Sequence, residues 1–320
     1  MEFWLACFVT FHRVVVRRSE ILLACTASFF LISLQFVSAS PINTDKVVAF
    51  SEYHQRLWDT RSHLPQISAI SIAEDPRGYI WVATEGGLAR FDGNHFEVFD
   101  GSISPLFADP LLRKVFVAPD GVVWVGTTDR LITICTDNHI REITFADNPL
   151  GRIDDIVWFE GAIYAGGDAL YRIDVSHADK SKSHSDEAVT RLPVTQVTAL
   201  TVKSDELWVA TDQRLLSIGD ARVVQEIDLA SLEDRTHITS MALYENRLVL
   251  GTTSGLMQLD DYQQLSSYKL NALEISDSIE LTFADSYGNL WVAGNQRLLQ
   301  IVKDQLVEEI SEIDGKTAPW

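Results

Sequence analysis

Asp75-Pro76-Arg77-Gly78-Tyr79-Ile80-Trp81-Val82-Ala83-Thr84-Glu85-Gly86-Gly87-Leu88 reads as a turn, a strand, a second tight turn and the start of another strand. The chain writes this unit six times. It returns as Asp120-Gly121-Val122-Val123-Trp124-Val125-Gly126-Thr127, as Gly161-Ala162-Ile163-Tyr164-Ala165-Gly166-Gly167, and as Asp205-Glu206-Leu207-Trp208-Val209-Ala210-Thr211. A worn copy, Asn246-Arg247-Leu248-Val249-Leu250-Gly251-Thr252, precedes the last, Gly288-Asn289-Leu290-Trp291-Val292-Ala293-Gly294. The anchors Trp81, Trp124, Tyr164, Trp208, Val249 and Trp291 are spaced 43, 40, 44, 41 and 42 residues apart. Short strands repeated with an aromatic anchor at a period of about 42 are the mark of propeller blades. The fold predicted is an all-β propeller of four-stranded antiparallel blades with six complete repeats.

Blade 1 shows how the strands are punctuated. Ile67–Ala73 is the inner strand, Tyr79–Ala83 the second, Leu88–Phe91 the third and His95–Phe99 the outer one. In the turn Asp75-Pro76-Arg77-Gly78, Pro presets φ and Gly accepts a positive φ. Asp92-Gly93-Asn94 between apolar runs is a strong hairpin signal. The remaining blades fall at 111–145, 153–193, 195–229, 237–270 and 279–313. A single blade cannot bury both its faces, so the anchor side chain is expected to fill the gap between adjacent sheets. Val249 is the smallest anchor, and its junction is expected to be the weakest. Residues 50–58 read as a lone strand with no partners of its own. Two closures follow: a six-bladed ring with that strand at its edge, or an incomplete seven-bladed ring at the front of a longer protein.

Composition narrows the partners. With 26 Lys and Arg against 45 Asp and Glu, the net charge of −19 repels phosphate backbones and excludes nucleic acid. His12, Arg13, Arg17 and Arg18 precede the uncharged, largely apolar run Ile21–Ala39, and Val37-Ser38-Ala39 fits the small-residue cleavage rule. Residues 1–39 are therefore predicted to be a signal peptide cut before Ser40, the alternative being an uncleaved inner-membrane anchor. Residues 40–49 are a polar leader and 50–320 the propeller. Cys7 and Cys25 would leave with the signal, and Cys135, among apolar neighbours, is expected to be a buried structural thiol. The stretch Ser176–Glu187 is polar and charged and predicts a long hairpin tip in blade 3. Its His177, Asp179, His184 and Asp186 do not amount to a metal site without a rigid surround.

Leu64-Pro65-Gln66-Ile67-Ser68-Ala69-Ile70, then Asp75 to Thr84, then Gly87-Leu88-Ala89-Arg90-Phe91, resembles the two-component regulator propeller repeat. That repeat reads "LP-x-x-x-V", "D-x-x-G-x-L-W-I-G-T" and "G-L-x-R-[FY]". Blade 1 matches nearly throughout, blades 2, 4 and 6 at the Trp core, and blades 3 and 5 loosely. The resemblance implies a periplasmic sensory region, which in this family precedes a further all-β module, a membrane span and a cytoplasmic output domain. No stretch after residue 40 reads as a membrane span or an output domain here. The expectation is therefore a truncated sensor or a stand-alone periplasmic binding subunit.

The turns joining the second and third strands should open on one face around the channel. They carry the candidate ligand-binding residues Glu85, Asp129, Arg130, Asp168, Asp212, Arg214, Asn295 and Arg297. Arg130, Arg214 and Arg297 recur at one position in alternate blades. Converging, they could bind a carboxylate or a carbohydrate with charged substituents; alternatively, each caps its own turn or pairs with its neighbouring Asp. Asp75, Asp120 and Asp285 read as hairpin-turn residues. No catalytic motif, metal spacing or cofactor loop is present in the sequence. The function expected is a non-catalytic sensor that binds a small molecule or a periplasmic or membrane signalling protein. A propeller lyase or glycoside hydrolase, and a structural interaction module, are the alternatives.

Overall fold

The computed structural model describes residues 14–15, 48–53, 55–56, 58–108, 111–135, 137–175, 188–219, 222–229, 236–260, 264–270, 273–313 and 316–317. Six antiparallel sheets follow one another along the chain, each with its strands in sequence order. Blade 1 is Ala69–Glu74, Ile80–Thr84, Gly87–Phe91 and Phe96–Phe99. Blade 2 is Leu112–Val117, Val123–Thr127, Leu131–Ile134 and Ile140–Phe145, with a fifth strand, Asn148–Pro149, on its outer edge. Blade 3 comprises Ile153–Phe159, Ala162–Gly167, Ala169–Asp174 and Ala188–Thr195. Blade 4 comprises Val197–Lys203, Glu206–Thr211, Arg214–Gly219 and Arg222–Asp228. Ile238–Tyr244, Arg247–Thr252, Gly255–Leu259 and Leu265–Ser267 form blade 5. Leu281–Ala284, Leu290–Gly294, Arg297–Val302 and Gln305–Ile310 form blade 6.

The period-2 alternation of the second strand builds the ring. Its anchor faces the next blade, and its flanking apolar residues face the previous one. Trp81, Ala83 and Leu88 of blade 1 share one core with Val123 and Val125 of blade 2. Trp124 and Leu131 of blade 2 share another with Ile163 and Ala165 of blade 3. Tyr164 meets Leu207 and Val209, and Trp208 meets Leu248 and Leu250. At the junction of blades 5 and 6 the anchor is only Val249, yet Tyr244 and Tyr268, 2% and 1% exposed, are buried beside it. Arg247 and Asp304 clasp the same junction at 2.6 Å, and the Tyr268 hydroxyl donates to Asp304. The volume missing at the anchor is therefore supplied from the outer edge of the blade. Burial is the first cause that raises the Tyr268 phenol above its ordinary range, with the Asp304 carboxylate adding to it.

The structure has six blades, and it corrects the lone strand expected at residues 50–58. Residues 50–58 are not a strand: Phe50–Glu52 is a 3-10 turn, and only Gln55–Arg56 is extended. Phe50 packs on Trp291, ring centroids 6.2 Å apart, and so covers the anchor face of blade 6. Trp58 and Leu64 cover the opposite, rear face of blade 1, Trp58 lying 5.0 Å from Phe91. The segment is irregular because it must serve two sheets facing it from opposite sides. Cys135 is half-buried rather than buried, at the turn between the third and outer strands of blade 2. Residues 1–13 and 16–47, which hold nearly all of the leader, and the 176–187 tip lie outside the described residues, as do residues 314, 315 and 318–320. No helix among the described residues is long and apolar enough to cross a membrane.

The anchors also carry a polar demand. In blade 6, Asp285 Oδ2 accepts the Trp291 indole N–H at 2.9 Å, while Oδ1 accepts the backbone N–H groups of Tyr287 and Asn289 at 2.9 and 2.8 Å. Asp75 repeats this around Trp81, with Arg77 paired to it at 2.9 Å. Blade 2 keeps the turn, including Gly121 at φ 84° beside Gly78 at φ 84°, but has Ala118 where the carboxylate would be. The buried indole N–H of Trp124 is accordingly without a partner. Asp285→Ala, which removes the acceptor of four N–H donors, those above and the Asn289 side-chain amide at 2.6 Å, should lower stability by about 2–3 kcal/mol in urea unfolding. Burial pushes the Asp75 carboxyl up, but hydrogen bonds from Arg77, Tyr79 and Trp81 outweigh it and hold it below the usual carboxylate range. Its contribution is thus present above the unfolded value of about 3.9 and is lost as pH falls through the lower folded value. The stability gap between wild type and Asp75→Asn should be widest above about pH 5 and should narrow in more acid solution.

Candidate functional site

One face of the ring is made by the turns between second and third strands and by the linkers entering each new blade. The two kinds of segment are stitched together: Thr128 N–H to Leu111 C=O at 3.1 Å, Asp168 to Arg152 at 3.1 Å and Thr253 to His237 at 3.0 Å. Each of four turns is held by a buried Thr at the end of the second strand. Thr84, Thr211 and Thr252 donate to the carbonyls of Gly87, Arg214 and Gly255 at 2.7 to 3.1 Å, and Thr127 donates to Asp129 Oδ1 at 2.8 Å while accepting the Arg130 N–H at 3.0 Å. Gly167 stands where Arg152 C=O passes so close that a Cβ would lie 1.9 Å from it. The turns are therefore rigid platforms for the side chains they carry.

The eight predicted residues all lie on this face, but they are not drawn together. Arg130 pairs with its neighbour Asp129, Nε to Oδ1 at 2.9 Å, and this pair holds the Asp129 carboxyl below its ordinary range. Arg214 reaches Glu226 on its own outer strand at 3.1 Å. Arg297 pairs with Glu309 on its outer strand at 3.3 Å and with Asp277 in the linker. The three guanidiniums thus serve their own blades, because their strands direct them across the sheet rather than toward the axis. Glu85 accepts from Gln66 Nε2 at 3.1 Å, and Asp212 and Asn295 are exposed, Asn295 in a left-handed turn at φ 49°.

Asp168 alone of the eight belongs to a larger assembly. The inner strands of blades 1 to 5 each carry a β-bulge, at Ile70, Arg113, Asp154, Thr198 and Thr239. Inner strands of successive blades flank one another around the axis, and a bulge there re-aims one side chain per blade. In blades 2 and 3 these side chains are opposite charges. The Arg113 guanidinium donates to Asp154, Arg152 pairs with Asp154 at 3.0 Å, and Arg152 also pairs with Asp168 at 3.4 Å. Just inside, Lys114 meets Asp155 at 2.8 Å, and Asp155 accepts the Leu200 N–H of blade 4 at 2.7 Å. Asp154 is only 12% exposed, whereas Arg113 and Arg152 are 46% and 37% exposed.

A sheltered carboxylate holds two part-exposed guanidiniums; Arg152 Nη2 also reaches Gln196 Oε1 at 3.5 Å, and a guanidinium has five N–H donors that can serve an anion or hydroxyl groups. Arg113, Arg152 and Asp154 escape sequence reading because each looks like an ordinary charge beside an apolar strand. For Arg113 and Asp154 the signal is positional, charge at repeat-equivalent bulges; Arg152 lies in the linker just before the strand. Among the described residues, no group of three His, Cys, Asp or Glu could hold a metal ion. Asp154→Ala removes the hydrogen-bond acceptor of Arg113 and an ion-pair partner of Arg152, and should lower stability by about 1.5–3 kcal/mol. Arg214→Ala, breaking an exposed pair, should change it by less than about 1 kcal/mol, as read from urea midpoints.

The two component regulator propeller family is matched at residues 63–86, one repeat of blade 1. No curated protein matches the chain. Virginiamycin B lyase from Staphylococcus aureus superposes with a TM-score of 0.59 at 15% identity, over 78% of this chain and 85% of that one. The extracellular domain of the one component system BT4673 from B. thetaiotaomicron gives 0.57 at 15% identity, over 73% of this chain and 31% of that one. A chain of the Mitotic Checkpoint Complex gives 0.60 at 12% identity, over 90% and 91%. A lyase, a one component system and a checkpoint complex share the ring, so the likeness is one of fold. The chain is a six-bladed propeller that carries a two component regulator propeller repeat in its first blade.

Proposed function

We propose that this chain is the exported, non-catalytic sensing propeller of a bacterial signalling system, recognising a small polar ligand on the face that carries Arg113, Arg152 and Asp168. The observation that carries this reading is the regulator-type repeat at residues 63–86, set in a ring with an accessible two-arginine corner. The chemistry of that corner suits a carboxylate or an acidic carbohydrate, since a guanidinium fork matches planar oxyanions in two hydrogen bonds. The net charge of −19 would repel such an anion at long range, so recognition rests on short-range hydrogen bonding. A periplasmic or membrane signalling protein is the next partner in line, and residues 1–39 supply the export signal or anchor.

The test is thermal unfolding of the chain from residue 40 against uronic acids, neutral oligosaccharides and organic acids, with product analysis on each mixture. A ligand at a hundredfold excess over its Kd should stabilise the ring by about 2.7 kcal/mol, and no compound should be consumed. Arg113→Gln should abolish the shift while unfolding remains cooperative. Turnover of any compound would favour the lyase or hydrolase reading. A shift that survives Arg113→Gln and Arg152→Gln would move the site elsewhere, and no shift with any compound would favour a protein partner.

A further inference from the structure

Five of the six blade junctions are single apolar cores drawing on both neighbouring sheets. At each of these five, the two inner strands also flank one another. The junction between blades 6 and 1 has neither property among the described residues. Its apolar residues fall into two separate cores, Phe50 with Trp291, Ala293, Leu298 and Ile310 on one side, and Trp58 and Leu64 with Ile80, Val82 and Phe91 on the other. Among the described residues the two cores are bridged by residues 48–64, a strap that includes two 3-10 turns, Phe50–Glu52 and Thr60–Ser62.

The two ends of the strap are held by different means. On blade 6 the apolar seat of Phe50 is reinforced by polar contacts: buried Gln300 accepts the Phe50 N–H at 3.1 Å and donates to Val48 C=O at 2.9 Å, and Glu308 accepts the Ser51 N–H at 3.0 Å. Gln300 is itself oriented by Asn289 at 3.0 Å. On blade 1 the end is wedged by Trp58 and Leu64, and Gln66 bonds Glu85 on the candidate ligand face. Gly86 accommodates this crossing, since a Cβ there would meet Gln66 Cβ at 2.9 Å.

We infer that the seam between blades 6 and 1 is the opening joint of the ring, latched by Gln300 and released by detachment of residues 48–53 from blade 6. Units held by few apolar contacts open sub-globally, ahead of the units locked by continuous cores. Release uncovers Trp291, while the far end of the strap stays on blade 1 and couples the joint to the turn that carries Glu85. This inference stands on packing alone and is independent of which ligand the face binds.

Native-state hydrogen exchange followed by mass spectrometry, on wild type and Gln300→Ala, tests it. In wild type, peptides of the strap and of the inner strands of blades 6 and 1 should exchange ahead of blades 2 to 4. Gln300→Ala should accelerate the former by about tenfold, the factor for one net hydrogen bond, and leave the latter unchanged. Glu308→Ala, on the exposed side of the strap, should act in the same direction more weakly and serves if Gln300→Ala does not fold. Uniform acceleration of all blades, or seam peptides as protected as blade 3 in wild type, would overturn the inference.

Discussion

Each sheet of this protein is apolar on both faces, and no sheet can be stable without a neighbour on each side. Everything else in the architecture answers that constraint. The anchor on one face and its flanking residues on the other make every blade both donor and acceptor of packing, so the blades must curve round until the last meets the first. At about 25 cal/mol per Å² of apolar surface buried, a large flat side chain is the most effective single filler of such a gap. Where the anchor shrinks to Val249, the structure restores the volume with Tyr268 from the outer edge rather than leaving a void. Beyond blade 6, where the described residues form no shared core with another sheet, Phe50 does the same for Trp291.

The repeat made the fold legible. Trp81, Trp124, Tyr164, Trp208 and Trp291 announce themselves by spacing, and the second strands they mark come out within a residue or two of the expected bounds. Residues 50–58 misled because alternating polarity in a short stretch reads as a strand whether its two faces meet one sheet or two. In the folded chain Phe50 and Trp58 point to different blades, which an extended register within one sheet cannot achieve. At the Val249 junction the compensating aromatics Tyr244 and Tyr268 lie within blade 5 but away from the anchor position, and a comparison of anchors alone passes over them.

The turns that carry the candidate residues were legible in the sequence; the pairings of their side chains were not. Turn sequences show which residues are exposed on the common face, but not which way a guanidinium runs along its strand. Arg214 and Arg297 begin third strands and find Glu226 and Glu309 on the outer strand of the same sheet, a cross-strand pairing that local register dictates. Arg113 and Asp154 meet only because two bulges, 41 residues apart in sequence, face each other across a blade junction. Such a contact depends on the ring having formed, and no local reading contains it.

The same reasoning says where function can live in a structure whose units are near copies. Positions that every blade must fill alike, such as the anchors and the turn threonines, are committed to packing and carry no information that distinguishes one propeller from another. Information resides where blades depart from one another. Blades 2 and 3 depart by charge, with Arg113, Arg152, Asp154 and Asp168 gathered at one corner of the face. Blades 6 and 1 depart by closure, with residues 48–64 in place of a shared core. Gln66 and Glu85 join the end of that strap to the face on which the charged corner lies. A ring that was the same all the way round would have a scaffold but no address; this one has a polar corner and a seam, and a hydrogen bond that ties the seam to the polar face.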